Sequence, residues 1–178
     1  MITKELKRYT TEDYKRLVEG DPHQLINGDL IMREASPTYG HQGLLRDVFM
    51  QIVNHLRDNP VGEALCAPID VYLDEHNVLQ PDIVFVANDG SAIARKDGFH
   101  GAPDMIIEIL SPSTSYYDLT VKKGIYEKHG VREYWIIDPS DGTVIGFKYI
   151  DGNFHEFFTG KDVFSSEVLN IEISLTLE

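Results

Sequence analysis

LQPDIVFVANDGSAIARKDGFHGAPDMIIEILSPSTSYYDLTVKKGIYEKHGVREYWIIDP, residues 79–139, sets the architecture of the chain. It holds two apolar runs, Ile83–Val86 and Met105–Leu110, then an amphipathic segment with Lys122 and Lys123, then a third apolar run, Tyr134–Ile137. Short apolar runs bounded by turn residues predict strands covered on both faces. Glu108 interrupts the second run. A carboxylate in the middle of such a strand is desolvated, at a cost of about several kcal/mol, unless a cation meets it. That cation is either a basic side chain, in a plain buried ion pair, or a metal ion.

A second acid favours the metal. Asp82 follows Pro81 at the start of the first run, and a neighbouring strand can bring it close to Glu108. Asp104, after Pro103, competes with it. Asp104 and Glu108 share one run, however, and four residues of strand span roughly 13 Å, whereas Mg²⁺ holds ligand oxygens at roughly 2.1 Å. Asp104 is therefore expected to be a polar strand-start residue, and Asp82 with Glu108 the metal pair. Two converging carboxylates repel, so Glu108→Gln is expected to stabilise the metal-free protein. A lysine should complete the group. Side chains two apart share a strand face, but position 110 is Leu110, so the charge has to come from elsewhere. A helix predicted from about Tyr116 to His129 puts Asp118, Lys122 and Tyr126 on one stripe. Lys122 then either reaches Glu108 or pairs with Asp118 in solvent. Tyr126 either supports Lys122 or fills the core, where Trp135 is also expected.

Several linked motifs carry a resemblance: Gln80-Pro81-Asp82, then Pro103-Asp104 leading to Glu108-Ile109-Leu110-Ser111-Pro112-Ser113, then Asp118 with Lys122 and Tyr126, then residues 130–139, GVREYWIIDP. Together they resemble the PD-(D/E)XK nuclease superfamily, in particular its largely uncharacterised restriction-endonuclease branch, over nearly the whole chain. The resemblance implies an α/β, restriction-endonuclease-like mixed β-sheet flanked by helices, with an αβββαβ core. It implies Mg²⁺, or Mn²⁺ as a substitute, held by Asp82, Glu108 and the main-chain carbonyl of Ile109. The implied catalytic residues are Asp82, Glu108 and Lys122. In that family the lysine is commonly displaced to the helix, which favours Lys122 over Lys123; Leu110 departs from the superfamily pattern. The implied reaction is hydrolysis of a phosphodiester in DNA. By analogy with related nucleases the implied assembly is a homodimer. The competing expectations are a nuclease fold without turnover, acting as an interaction module, and an enzyme for RNA or another phosphoester.

Upstream, Thr10 and Asp13 predict a capped helix to about Val18, ended by Gly20-Asp21-Pro22. Asn27-Gly28 predicts a type I′ hairpin between Gln24–Ile26 and Asp29–Met32. Gln24 stands where the family has an acid, and Glu34, at the hairpin exit, faces either the site or solvent. Leu45, Val48, Phe49, Ile52, Val53 and Leu56 recur at helical spacing between Ser36-Pro37 and Asn59-Pro60. His41 and Gln42 in that helix's first turn match a His-Gln pair of the family, and His41 is either a surface residue or a phosphate donor. Ala64–Ala67 and Ile69–Leu73 predict strands, with Asp70 a strand-edge residue or a further acid. Asn88–Gly101 predicts a loop containing a short helical piece. Beyond Pro139, turns at Asp141-Gly142 and Asp151-Gly152 predict C-terminal hairpins, with a last strand over Ile171–Leu175.

A chain of 178 residues is expected to form one domain over 1–178. No apolar run approaches the roughly 18 residues of a membrane helix, and the first ten residues lack the apolar core of a signal peptide. A cytoplasmic protein without a membrane partner is expected. Cys66, the single cysteine, excludes an internal disulfide and a Cys-rich zinc site. Sixteen basic against 29 acidic residues give a net charge of −13, which excludes binding nucleic acid through a uniformly basic surface. Phosphates would have to meet divalent ions and local cations, for which Arg95, Lys96, Lys122, Lys123, Lys128 and Arg132 are the candidates.

Overall fold

The computed structural model describes residues 7–18, 20–32, 37–111 and 117–177, with backbone alone at 117 and 118. Glu34, Ser36 and the Asp118 side chain therefore lie outside the described residues. α1 (Thr11–Tyr14) is a single turn with a full capping box: Thr10 Oγ1 accepts from Asp13 N, and Asp13 accepts from Thr10 N. It stops short of the expected Val18, at Tyr14, whose ring is buried. β1 (His23–Ile26) and β2 (Asp29–Met32) form the expected hairpin, with Asn27 and Gly28 at φ 52° and 84°. α2 (Tyr39–Asp58) is capped by Thr38, whose hydroxyl accepts from His41 N. Of the stripe its periodicity predicts it buries Leu45, Val48 and Ile52, with Leu44 beside them, while Phe49, Val53 and Leu56 are half-buried.

The remaining elements up to the second lysine are short. They are β3 (Gly62–Cys66), β4 (Val71–Asp74), β5 (Asn77–Leu79), β6 (Ile83–Ala87), β7 (Ile93–Arg95), β8 (Gly98–His100) and β9 (Met105–Ile109), followed by a π-helical segment, Tyr117–Lys122. Two expectations are corrected here. Residues 88–101 hold no helix: β7 and β8 form a hairpin that docks β8 parallel to β4. The cause is Phe99, whose buried ring packs with Val71, Val84 and Val86. The helix expected from Tyr116 is likewise not uniform, since its first part is π-wound and only α3 (Lys123–His129) is α-helical. The chain continues through β10 (Glu133–Ile137), β11 (Thr143–Ile150), β12 (Asn153–Lys161), β13 (Val163–Ser166) and β14 (Ile171–Ser174).

A six-stranded sheet in the order β12-β11-β10-β9-β6-β3 is the centre of the structure. β9 and β10, buried at every position, run parallel and are joined by the π-helical segment and α3 as a crossover. β6 lies antiparallel to β9 and to β3. Read as α2, β3, β6, β9, α3, β10, this is the expected αβββαβ core. One face of the sheet packs α2 and the β13–β14 hairpin through Val48, Ile52, Phe85, Ile107 and Phe164. The other face meets α3 and a second six-stranded sheet, ordered β2-β1-β5-β4-β8-β7. Gly146 in β11 leaves room for the indole of Trp135, into which any Cβ at that position would project. Among the described residues no helix is long and apolar enough to cross a membrane.

α3 is tied to the second sheet by Asp74. Its Oδ2 accepts from Lys128 Nζ at 3.0 Å and lies 3.1 Å from His129 Nε2, while Oδ1 accepts from His76 N and the Asn77 amide. Burial pushes the Asp74 carboxyl up, but the donors of His76, Asn77 and Lys128 outweigh it and hold it at about 2, against an ordinary 3.8. A depressed carboxyl stabilises the fold above its unfolded value and loses that contribution as pH falls toward the folded one. Acidification from pH 5 to pH 2 is therefore expected to remove at most about 2 kcal/mol through this group. Denaturant melts of Asp74→Asn against wild type should differ at pH 6 and converge near pH 2. A constant difference would show that the charge is not what anchors α3.

Candidate functional site

Three chain segments meet at one end of the central sheet: the start of β6, the end of β9 and the first turn of α2. Asp82 immediately precedes β6. Its backbone is set by Ala67 N, which donates to Asp82 O at 2.9 Å. Upstream of Pro81, Gln80 is held at both ends. Its N–H donates to Gln24 Oε1 at 2.8 Å, and its amide donates to Asp70 Oδ1 at 2.6 Å and to the Tyr14 hydroxyl at 3.2 Å. The Tyr14 hydroxyl in turn reaches Asp70 Oδ1 at 3.0 Å. Burial, then the Asp70 carboxylate, pushes the Tyr14 phenol up, so it stays a neutral donor. Asp70 thus sits in the support of the Asp82 corner. Gln24, in place of an acid, accepts from a backbone N–H, which a carboxylate could also do.

The Asp82 carboxylate bridges to β9: its Oδ2 accepts from Ile109 N at 2.7 Å. His41 Nε2 lies 3.1 Å from Ile109 O and 3.3 Å from the same Asp82 Oδ2. Both are acceptors, so the imidazole proton sits on Nε2. His41 is buried rather than on the surface, and its Nε2 faces protein oxygens.

Glu108 is 2% exposed and lies on the opposite face of β9 from Ile107 and Ile109, toward α3. Its Oε1 accepts from Lys122 Nζ at 2.9 Å and from the Tyr126 hydroxyl at 3.0 Å. Lys122 is 5% exposed, so it is not on a solvated stripe. Tyr126 fills both of its expected parts, with its ring in the core against Tyr134 and its hydroxyl on Glu108. The β6–β9 ladder ends at Ile83 with Ile107, so Asp82 and Glu108 each lie one residue past its last pair.

Asp104 lies at the far end of β9. There it accepts from Ala87 N at 2.8 Å and from Arg132 at 3.2 Å. The other candidate cations are also engaged elsewhere or exposed. Lys123 Nζ sits 4.0 Å over the Phe147 ring, Lys128 is on Asp74, and Arg95 and Lys96 are exposed on the β7–β8 hairpin. Of the six cations considered, Lys122 is the one that touches Glu108.

The oxygens gathered at this end are two carboxylates and one carbonyl. Among the described residues no three His, Cys, Asp or Glu side chains cluster as a ready cage. A hard, all-oxygen set with only two carboxylates still suits Mg²⁺, which keeps several of its waters and favours one or two carboxylate ligands. Asp82 Oδ2 and Ile109 O face the same His41 Nε2, at 3.3 and 3.1 Å, which leaves Asp82 Oδ1 and a second lone pair of the carbonyl for an ion. The residues present therefore fit such an ion.

Sequence reasoning missed the Tyr14–Asp70–Gln80–Gln24 support and the contacts of His41. Most of these bonds join residues 56 to 68 apart, and no local spacing signals such a bond.

Comparison with known proteins agrees with this architecture. A crystal structure described as "a putative nuclease belonging to DUF820 from Anabaena variabilis" matches with a TM-score of 0.75 at 24% identity, covering 93% of this chain and 94% of that one. No curated protein matches the sequence. The family described as "Uma2: Putative restriction endonuclease" matches residues 11–178. With nearly the whole chain matched and the αβββαβ core in place, the protein belongs to that family and has the restriction-endonuclease-like fold of the PD-(D/E)XK superfamily.

Proposed function

We propose that the chain is a Mg²⁺-dependent endonuclease that hydrolyses phosphodiester bonds of DNA, with Mn²⁺ able to substitute. The observation that carries this reading is the burial of Glu108 and Lys122 against each other at the sheet end where Asp82 and Ile109 O converge. Asp82, Glu108 and the Ile109 carbonyl would hold the ion, which when bound supplies Lewis-acid polarisation of the phosphate and a water of lowered pKa. Lys122 orients the attacking water or meets the negative charge that grows on the phosphoryl oxygens, an interaction worth most in a water-excluded site. Tyr126 holds Glu108 in one orientation through its hydroxyl. With a net charge of −13, the protein has to receive the phosphate backbone through the ion and a few local cations. Binding should therefore be weak in the absence of divalent metal. A homodimer working in the cytoplasm, with two sites addressing two strands, completes the reading.

The test is incubation of the purified protein with plasmid, single-stranded DNA and RNA, in Mg²⁺ or Mn²⁺, beside Glu108→Gln. Cleavage of plasmid that needs the metal and disappears in the variant is the expected result. Equal cleavage in the variant points to contamination or another site. Cleavage of RNA alone changes the substrate and leaves the site in place. No cleavage together with no metal uptake favours an interaction module, since the pairing of Lys122 with Glu108 is also what a metal-free structural ion pair would use. Sedimentation of the same protein decides between monomer and dimer.

A further inference from the structure

Asp82 and Ile109 are joined by a side chain that the mechanism above does not use. We propose that His41 is a positioning residue whose Nε2–H clamps the Asp82 carboxylate to the Ile109 carbonyl and so sets the spacing of these two oxygens for a divalent ion. The proposal rests on the metal reading given above. Its basis is a closed ring of contacts. Asp82 Oδ2 takes the Ile109 N–H at 2.7 Å, and the same oxygen and the Ile109 carbonyl both face His41 Nε2, at 3.3 and 3.1 Å. The ring sits one step beyond the last pair of the β6–β9 ladder, Ile83 with Ile107, where backbone pairing no longer holds the two strands together. A lone carboxylate there can rotate about its side-chain torsions. With one oxygen on a backbone N–H and on an imidazole N–H, it cannot.

The imidazole is itself well placed to impose that geometry. His41 is buried, its backbone N–H is bound to the cap residue Thr38, and it belongs to a twenty-residue helix whose next turns bury Leu44, Leu45 and Val48 against the central sheet. The ring is thus fixed to the sheet face opposite Glu108 and Lys122, so α2 sets one side of the site and α3 the other. Groups standing behind metal ligands in this way commonly change metal affinity ten- to hundredfold when removed. A clamp also separates His41 from the catalytic residues, since a proton shared by two protein oxygens is not available to a phosphate.

Three variants test it. His41→Phe keeps the bulk and removes the donor. His41→Gln carries an amide N–H to about the reach of Nε2, and His41→Asn carries one only to that of Nδ1. Two quantities are read on each: Mn²⁺ affinity by calorimetry, and the exchange rate of the Ile109 amide hydrogen by NMR. His41→Phe is expected to weaken Mn²⁺ binding roughly ten- to hundredfold and to speed Ile109 exchange. His41→Gln should recover both in large part. If the Phe variant does not fold, the same contrast is read between Gln and Asn, with Asn the defective one. Unchanged Ile109 exchange, Mn²⁺ binding as tight as wild type or tighter, or no recovery by Gln overturns the clamp. A wild-type protein that takes up no Mn²⁺ overturns the metal reading instead, and the clamp then stands or falls on Ile109 exchange alone.

Discussion

Lys122→Met is expected to slow cleavage by about a hundredfold or more and to cost the metal-free fold about 3–5 kcal/mol. The two effects have different origins. Lys122 and Glu108 are both almost fully buried and 2.9 Å apart. Met keeps the length and apolar stem of Lys but takes the positive charge away from the Glu108 carboxylate in the core, to which the Tyr126 hydroxyl still donates. A buried charge that has lost its partner is far more costly than the pair was worth. The double variant Lys122→Met/Glu108→Gln removes that charge and should recover most of the lost stability while remaining inactive. Mn²⁺ should also raise the melting temperature of Lys122→Met more than that of wild type, because the ion supplies the missing positive charge. Lys123→Met, by contrast, loses a cation over the Phe147 ring, worth about 0.5–1 kcal/mol at an exposed site, and should cleave as wild type does. Urea melts and single-turnover cleavage of the four proteins separate these outcomes. A Lys122→Met protein as stable and as active as wild type would sink the assignment of this lysine.

The same pair shows how far the sequence was legible. The acid inside Met105–Leu110 announced a buried charge that needed a cation, because an apolar run leaves a carboxylate no cheap environment. Lys122 as that cation rests on a stripe of α-helical spacing together with the family resemblance, whereas Lys122 closes a π-helical segment. The reach came out the same because Lys122 and Tyr126 are separated by ordinary α-helix. The expected gain from Glu108→Gln is corrected by the contact itself. With Lys122 already on Glu108, the substitution strands an ammonium rather than relieving a repulsion, so the metal-free protein should lose stability. The β7–β8 hairpin is not legible locally because its three-residue strands are too short to show a period, and only the tertiary docking of Phe99 makes them strands. Long periodic segments such as α2, and punctuated ones such as the Asn27-Gly28 hairpin, carry their structure locally. The supports of Asp82 do not, because they join residues far apart in the chain.

A comparable loss of stability is expected away from that site, at Glu133. Its side chain is fully buried at the start of β10, and neutral donors surround it. Oε1 accepts from Glu167 N and Val168 N, both at 2.9 Å, and Oε2 accepts from Trp135 Nε1 at 3.0 Å and Ser166 Oγ at 2.7 Å. Four donors on two oxygens replace the hydration shell that burial removed, so the carboxylate joins the turn after β13 to the central sheet. Glu133→Ala abandons all four at once. Each buried donor left without a partner costs about 1–3 kcal/mol, although the Ser166 hydroxyl can turn elsewhere and some backbone can relax toward water. A net loss of about 4 kcal/mol or more is therefore expected, a size for which a broken buried network is one of the few sufficient causes. Glu133→Gln should fall between, since its carbonyl oxygen still accepts while its amide N–H₂ is forced against other donors. Trp135 is the single tryptophan of the chain and lies against Phe164, with ring centroids 4.6 Å apart. Its emission therefore reports both on the lost indole bond and on release of the β13–β14 hairpin. Metal binding at the far end of β9 and β10 should persist in any Glu133 variant that still folds. Urea melts followed by that emission give the test, and a loss below about 1 kcal/mol in Glu133→Ala, within the range of an ordinary hydrogen bond, would show that the hairpin is held by its apolar contacts and not by the carboxylate.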